Sequence, residues 1–158
     1  MTITRGAVAP DFELRNQHGQ TVSLQELLSR RAVLVVFIPL AFSPVCAAEV
    51  AQFNDWHDIA ASAGVEVVVI SVDSVATLRA WSDDTGFRLS LLSDFWPHGA
   101  VAKQFGVFLE DKGFARRASF LIDRNGVVQS VIESALGEAR AFSDYEQAIV
   151  ALTSAADS

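Results

Sequence analysis

Hydrophobic residues in this chain follow three patterns in turn. Residues 32–38 and 65–71 are continuous apolar runs rich in β-branched side chains, the pattern of strands buried on both faces. Between them the spacing becomes helical. At about 100° per residue, Cys46, Val50, Phe53, His57 and Ala60 share one face, Asn54, Asp55 and Asp58 lie opposite, and Gly64 stands where a helix would stop. Residues 74–85 predict another helix, capped by Ser74 and ended by Gly86, and residues 99–105 predict a weaker one. Alternation appears twice. Residues 11–14 and 21–23 flank the turn cluster Asn16-Gln17-His18-Gly19 and predict an N-terminal hairpin. Residues 118–122 and 127–132 flank Asn125-Gly126, a strong hairpin signal. A closing amphipathic helix is expected over residues 144–152, with residues 154–158 as a frayed end.

A strand, a helix and a strand in that order form a right-handed parallel unit. Followed by a hairpin and a final helix, the unit predicts an α/β thioredoxin fold: a central mixed sheet flanked by helices, with the N-terminal hairpin as an extension. No repeat or composition shift divides the 158 residues, so residues 1–158 read as one domain with an ordered core over about residues 5–153. Hydrophobic residues make up 51% and charged residues 20%, which excludes a disordered chain. The formal charge of -7 would repel a phosphate backbone, so no nucleic-acid partner is expected. The apolar run at 32–38 is far too short to cross a membrane, and residues 1–6 lack the apolar core of a secretory signal. A cytoplasmic location away from the membrane is the resulting expectation.

The chemistry centres on the one cysteine, Cys46, which has no partner for an internal disulfide and no companions for a cysteine zinc site. It lies where a central strand hands over to a helix, the end of an α/β sheet at which ligands bind. Ser43 suits the N-cap and Pro44 the first helical position, so Cys46 falls in the first turn, where unpaired amides and the helix dipole favour a thiolate. A lone cysteine without such a position is more often buried and inert. His57 shares the face of Cys46 but sits about 16 Å further along the helix, too far to serve as its base, and reads as a partly buried core histidine. His18 and His98 fall in loops. The residue three after Cys46 is Glu49, so the chain lacks the Cys-x-x-Cys pair of dithiol oxidoreductases. A solitary thiolate suits attack on a peroxide O–O bond, giving a sulfenic acid that another thiol reduces, without metal or organic cofactor.

Pro39-x-x-x-Ser43-x-x-Cys46 resembles the peroxiredoxin active-site motif, with Ser43 where threonine is the commoner choice. The wider sequence is similar to the one-cysteine alkyl hydroperoxide reductase E group of that AhpC/TSA family over about residues 6–153. Val8-Ala9-Pro10-Asp11-Phe12, Phe37-Ile38-Pro39-Leu40-Ala41-Phe42 and Leu91-Leu92-Ser93-Asp94-Phe95-Trp96-Pro97-His98-Gly99-Ala100 carry the likeness. The resemblance implies that Pro39 shields the sulfur, that Ser43 hydrogen bonds near sulfur and peroxide, that Cys46 attacks, and that the amides of Val45 and Cys46 hold a peroxide oxygen. It also implies an arginine from a later strand. Arg117 is the matching position and Arg116 the rival; strand alternation sends the two to opposite faces. Glu49, one turn after Cys46, would orient that arginine or simply answer the helix dipole.

The same resemblance implies a thiol-dependent peroxidase acting on hydrogen peroxide, organic hydroperoxides or peroxynitrite. An external thiol or redoxin would resolve the oxidised cysteine: mycothiol with a mycoredoxin, or a thioredoxin-like partner. A homodimer is expected, with Phe42, Phe95, Trp96 and Pro97 at its interface, although residues 95–97 also read as a packed turn. A thiol redox sensor and a non-enzymatic interaction module of the same fold are the alternatives.

Overall fold

The computed structural model describes residues 2–156, and within them the expected strand-helix-strand unit forms the centre of the molecule. In chain order the elements are β1 (Glu13–Asn16), β2 (Thr21–Ser23), α1 (Leu24–Leu28), β3 (Ala32–Phe37), α2 (Pro44–Ser62), β4 (Val65–Ser71), α3 (Val75–Thr85), β5 (Ser90–Ser93), α4 (Ala100–Gln104), β6 (Phe108–Leu109), β7 (Phe114–Ala115), β8 (Ala118–Ile122), β9 (Val128–Glu133) and α5 (Phe142–Ala156). Seven strands form one mixed sheet in the order β2-β1-β5-β4-β3-β8-β9. β3, β4 and β5 run parallel, β8 lies antiparallel to β3, and β9 antiparallel to β8.

Every residue of β3 is buried, and alternation along it feeds two cores. Leu34 and Val36 pack with Val67, Val69 and the inner faces of α2, α3 and α5, the face that also holds Cys46, Val50 and Phe53. Val33, Val35 and Phe37 pack on the other side with Val68, Ile70, Phe105 and Phe120. The thioredoxin fold expected from the element order is the fold observed. Among the described residues no helix is long and apolar enough to cross a membrane.

Two boundaries need correction. The N-terminal hairpin begins two residues later than predicted, at Glu13, and extends the main sheet at one edge. β1 pairs antiparallel with β5 through Arg15–Ser93 and Asn16–Leu92. Gln17 secures that join, its amide donating to the Leu89 carbonyl and accepting from the Leu91 amide. β5 itself is only four residues long, too short for alternation to reveal. The closing helix starts at Phe142 and continues through Ala156, so residues 154–156 are helical; Thr153 Oγ1 ties back to the Ile149 carbonyl within it. Residues 157–158 of the expected frayed end lie outside the described residues. The hairpin expected at Asn125-Gly126 forms, β8 pairing antiparallel with β9 across a connection at residues 123–127. Asp123 organises it, accepting from the amides of Asn125 and Val127 through Oδ1 and from Gly126 through its carbonyl. Only Gly126 takes the left-handed conformation, at φ 82°.

Candidate active site

Strand register delivers the first pair of residues. Phe37, the last residue of β3, faces Ala118, the first of β8, so the residue before Ala118 lies level with the start of the loop that carries the cysteine. That residue is Arg117. Its Nη2 donates to Cys46 Sγ at 3.1 Å, its Nη1 to Glu49 Oε1 at 2.5 Å, and its Nε to the Leu136 carbonyl at 2.8 Å. Arg116 points the other way, to Glu133 Oε2 at 2.8 Å and Thr2 Oγ1 at 2.6 Å. Its hydrogen bond holds the Glu133 carboxyl below the ordinary value.

Cys46 is fully buried in the first turn of α2. Ser43 stands at the N-cap with extended backbone and Pro44 opens the helix. The first intrahelical bond of this end runs from the Ala47 amide to the Ser43 carbonyl, so the amides of Val45 and Cys46 precede it in the positions where helix donors lack helical acceptors. Ser43 Oγ donates to the Leu40 carbonyl at 3.0 Å, which places it on its own loop rather than on the sulfur. Pro39 is buried beneath the loop, and Phe42 takes a left-handed backbone at φ 67°, unusual for a bulky residue and costly in a loop that must hold one shape.

Arg140 completes the cluster, and nothing in the sequence pattern marked it. It lies in the irregular segment between β9 and α5, and its guanidinium takes both oxygens of Glu49, while Nη1 donates to the Phe37 carbonyl at 2.8 Å and to Ser119 Oγ at 3.0 Å. Ser119 in turn is 2.9 Å from the hydroxyl of Tyr145. Burial pushes the Tyr145 phenol up to about 12. Burial also works to raise the Glu49 carboxyl, but hydrogen bonds and attraction from Arg140, with the charge of Arg117, outweigh it and hold Glu49 below its ordinary value. The one available signal for Arg140 was Glu49 itself: a carboxylate on the apolar face of a helix must be paired when buried.

Charge decides what this cluster does. Arg117, Arg140 and Glu49 are all buried, two positive groups against one negative. A buried net charge is expensive, so the positive surplus favours negative charge placed beside it. The group that this cluster meets is the sulfur of Cys46, with the Arg117 guanidinium beside it. His57 is remote, held by the Asn54 carbonyl and near Asp58. His98 bonds the Gly113 carbonyl. Among the described residues no three His, Cys, Asp or Glu side chains gather as metal ligands would.

The segment after β5 is pinned rather than packed. Asp94 is buried, with its carboxylate accepting from the amides of Val101 and Ala102 at the start of α4 and its carbonyl accepting from Gly99. Burial pushes the Asp94 carboxyl above the ordinary aspartate value, making it a weaker acid. Gly99 has φ 69°, and a Cβ there would fall 2.3 Å from the Phe108 ring, so the turn into α4 needs glycine. Between these anchors Phe95, Trp96 and Pro97 stand out into solvent, Trp96 at 81% exposure, with Phe42 and Leu40 also exposed.

Fold and cluster together define a thioredoxin-fold thiol protein whose working group is one supported cysteine. The chain matches the AhpC/TSA family over residues 5–131 and belongs to it. It is 40% identical over 148 residues to alkyl hydroperoxide reductase E of Mycobacterium tuberculosis, covering 94% of this chain and 97% of that one. It is 34% identical to the chloroplastic 2-Cys peroxiredoxin BAS1 of Spinacia oleracea, covering 93% of this chain and 58% of the plant protein. Among solved structures, Enterococcus faecalis AhpC superimposes with a TM-score of 0.89 at 27% identity, covering 99% of this chain and 96% of that one. Peroxidoxin BcpB of Mycobacterium tuberculosis does so at 0.81 with 31% identity, covering 96% and 97%. The fold is thus the peroxiredoxin form of the thioredoxin fold.

Proposed function

We propose that this protein is a thiol-dependent peroxidase working by a one-cysteine cycle. The observation that carries the reading is the buried cluster of Glu49, Arg140 and Arg117, from which Arg117 donates to Cys46 Sγ. The thiolate attacks one oxygen of a peroxide, R–O–O–H. An S–O bond forms to the terminal oxygen as the O–O bond breaks, and the sulfur gives up two electrons. The peroxide proton passes to the departing oxygen, which leaves as the alcohol, or as water when the substrate is hydrogen peroxide, while the sulfenate takes a proton from solvent to become the sulfenic acid. Arg117 and the amides of Val45 and Cys46 are placed to offset negative charge on the two oxygens as it develops. Pro39 shields the sulfur from bulk water, and Ser43 shapes the loop through Leu40.

With no second cysteine in the sequence, the sulfenic acid is resolved by an external thiol or redoxin. Mycothiol with a mycoredoxin, or a thioredoxin-like protein, fits the relationship to the mycobacterial reductase. Hydrogen peroxide, organic hydroperoxides and peroxynitrite are the substrate class. The whole chain acts as one domain in the cytoplasm, as a homodimer whose contact includes Phe42, Phe95, Trp96 and Pro97.

The test is stopped-flow oxidation of the reduced protein by several peroxides, read through tryptophan fluorescence, followed by turnover with a small thiol. Oxidation that disappears in Cys46→Ser and turnover that consumes thiol support the peroxidase. Oxidation without thiol-driven turnover would instead support a redox sensor.

A further inference from the structure

A carboxylate outside the cluster hydrogen bonds to the loop bearing the active cysteine. Asp73 follows the end of β4, and its Oδ2 accepts from the Ala41 amide at 2.7 Å and from Ser71 Oγ at 2.7 Å. Its carbonyl accepts Ser93 Oγ at 2.6 Å, so Asp73 joins the ends of the three parallel strands. The last bond before the loop runs from the Ile38 amide to the Ile70 carbonyl. Beyond it Ser43 Oγ reaches only Leu40, and the half-exposed Phe42 ring lies against Trp81 of α3 without a hydrogen bond. Among the described residues, apart from the Ala47–Ser43 bond that opens α2, the Ala41–Asp73 bond is the hydrogen bond that ties residues 39–43 to another part of the fold.

We infer that Asp73 is a latch on the cysteine loop: a positioning residue that keeps Cys46 against Arg117 for oxidation and whose release admits the reducing thiol. This rests on the peroxidase reading. Oxidation needs the closed arrangement, because Arg117 meets the sulfur only there. Reduction needs the opposite. A thiol R–SH attacks the sulfenic sulfur, an S–S bond forms, the S–O bond breaks, and the hydroxyl leaves with the thiol proton as water; a second R–SH then releases Cys46 as its thiol and R–S–S–R. The attacking thiol brings its carbon skeleton in line with the S–O bond, and Cys46 exposes no surface to it while the loop is shut. One bond therefore pulls the two halves of the cycle in opposite directions.

The experiment compares the full-length protein with Asp73→Ala, Asp73→Asn and Ser71→Ala. Three rates are measured: oxidation by hydrogen peroxide, capture of the sulfenic acid by 2-mercaptoethanol read by intact mass, and alkylation of reduced Cys46 by iodoacetamide. Alkylation is run at about pH 9.5, where a thiol of ordinary acidity is already mostly ionised and the rate reads access. Losing a hydrogen bond to a charged acceptor should slow oxidation of Asp73→Ala about 10-fold and speed capture and alkylation about 10-fold, with smaller shifts of the same signs in Ser71→Ala. Oxidation and capture falling together would mean Asp73 only supports the fold, and unchanged rates would mean it latches nothing; either overturns the inference. If the wild-type protein does not react with peroxide, the peroxidase reading fails while alkylation still judges the latch. If Asp73→Ala does not fold, Asp73→Asn and hydrogen exchange at the Ala41 amide decide, faster exchange supporting the latch and unchanged exchange refuting it.

Discussion

Arg140 and Glu49, 91 positions apart in the chain, meet as a planar fork: Nε donates to Oε2 and Nη2 to Oε1, each at 2.9 Å, and the Arg140 backbone amide adds a third bond to Oε2. The fork fixes both carboxylate oxygens, so Glu49 presents Oε1 to Arg117 in one orientation. Arg140 thus sets the aim of a guanidinium that touches the sulfur, without touching the sulfur itself.

Arg117→Ala removes the donor at the sulfur and should slow oxidation by hydrogen peroxide on the order of 100-fold or more. Arg140→Lys, which keeps the charge but loses the fork, should slow it by about 10-fold. Arg116→Ala, whose guanidinium faces Glu133, should change the rate less than twofold, roughly the scale of a surface ion pair. Stopped-flow fluorescence on the three variants checks the order; equal losses in Arg116→Ala and Arg117→Ala would contradict the assignment.

Glu49→Gln leaves two buried guanidinium groups with a neutral partner, which should cost about 3–5 kcal/mol at pH 7. The sign of its pH dependence follows from a carboxyl held below the ordinary value of 4.5 in the fold. The stabilisation is fully present above the unfolded value and is lost as pH falls through the lowered folded one. Urea unfolding should therefore show a gap between wild type and Glu49→Gln that is constant near neutrality and closes in acid. A gap that widens on acidification would refute this.

Tyr145 behaves in the reverse sense at the alkaline end. Its phenol ionises at 10.0 ordinarily and at about 12 in the fold, raised by burial. The neutral phenol favours the native state below pH 10, and that advantage is lost as pH rises from there toward about 12. Tyr145→Phe should lose the bond to Ser119 at neutral pH, and the stability difference from wild type should vanish or reverse in that alkaline window, as read by chemical denaturation.

Stoichiometric peroxide should add one oxygen atom to the intact mass, and a small thiol added next should convert that species to a mixed disulfide. The Cys46→Ser variant should show neither. Appearance of a protein dimer linked by disulfide as the main product would contradict resolution by an external thiol.

Trp96→Arg places a charge on the most exposed aromatic of the rim. If that rim is the subunit contact, light scattering should give about twice the chain mass for wild type and a shift toward monomer for the variant. A dimer insensitive to the substitution would put the interface elsewhere.

Most of the scaffold was visible in the sequence because its central strands are long, continuous and flanked by clear stops. Gly64 and Gly86 do follow their helices, with φ of 83° and 76°. β5 and the true place of the N-terminal hairpin were hidden, since four residues carry too little alternation and Gln17 acts through a long-range pairing. The active-site loop could be read from local rules, a cap, a proline and a cysteine in one turn. Arg140 could not, because its position depends on a loop with no period. Asp73 was detectable only by its place after a parallel strand, where such sheets gather their ligands.

The pairing of Phe37 with Ala118 has an evolutionary corollary. Side chains alternate along a strand, so sliding β8 by a single step past β3 would hand the sulfur to Arg116's side of the sheet and turn Arg117 toward the opposite face. The two neighbouring arginines are chemically identical, and phase alone separates them. Inserting one alanine between Arg117 and Ala118 should abolish peroxide reactivity even in a protein that still folds, deleting Arg117 should keep part of it because Arg116 then precedes Ala118, and a length change beyond Asp123, in the β8–β9 turn, should be tolerated.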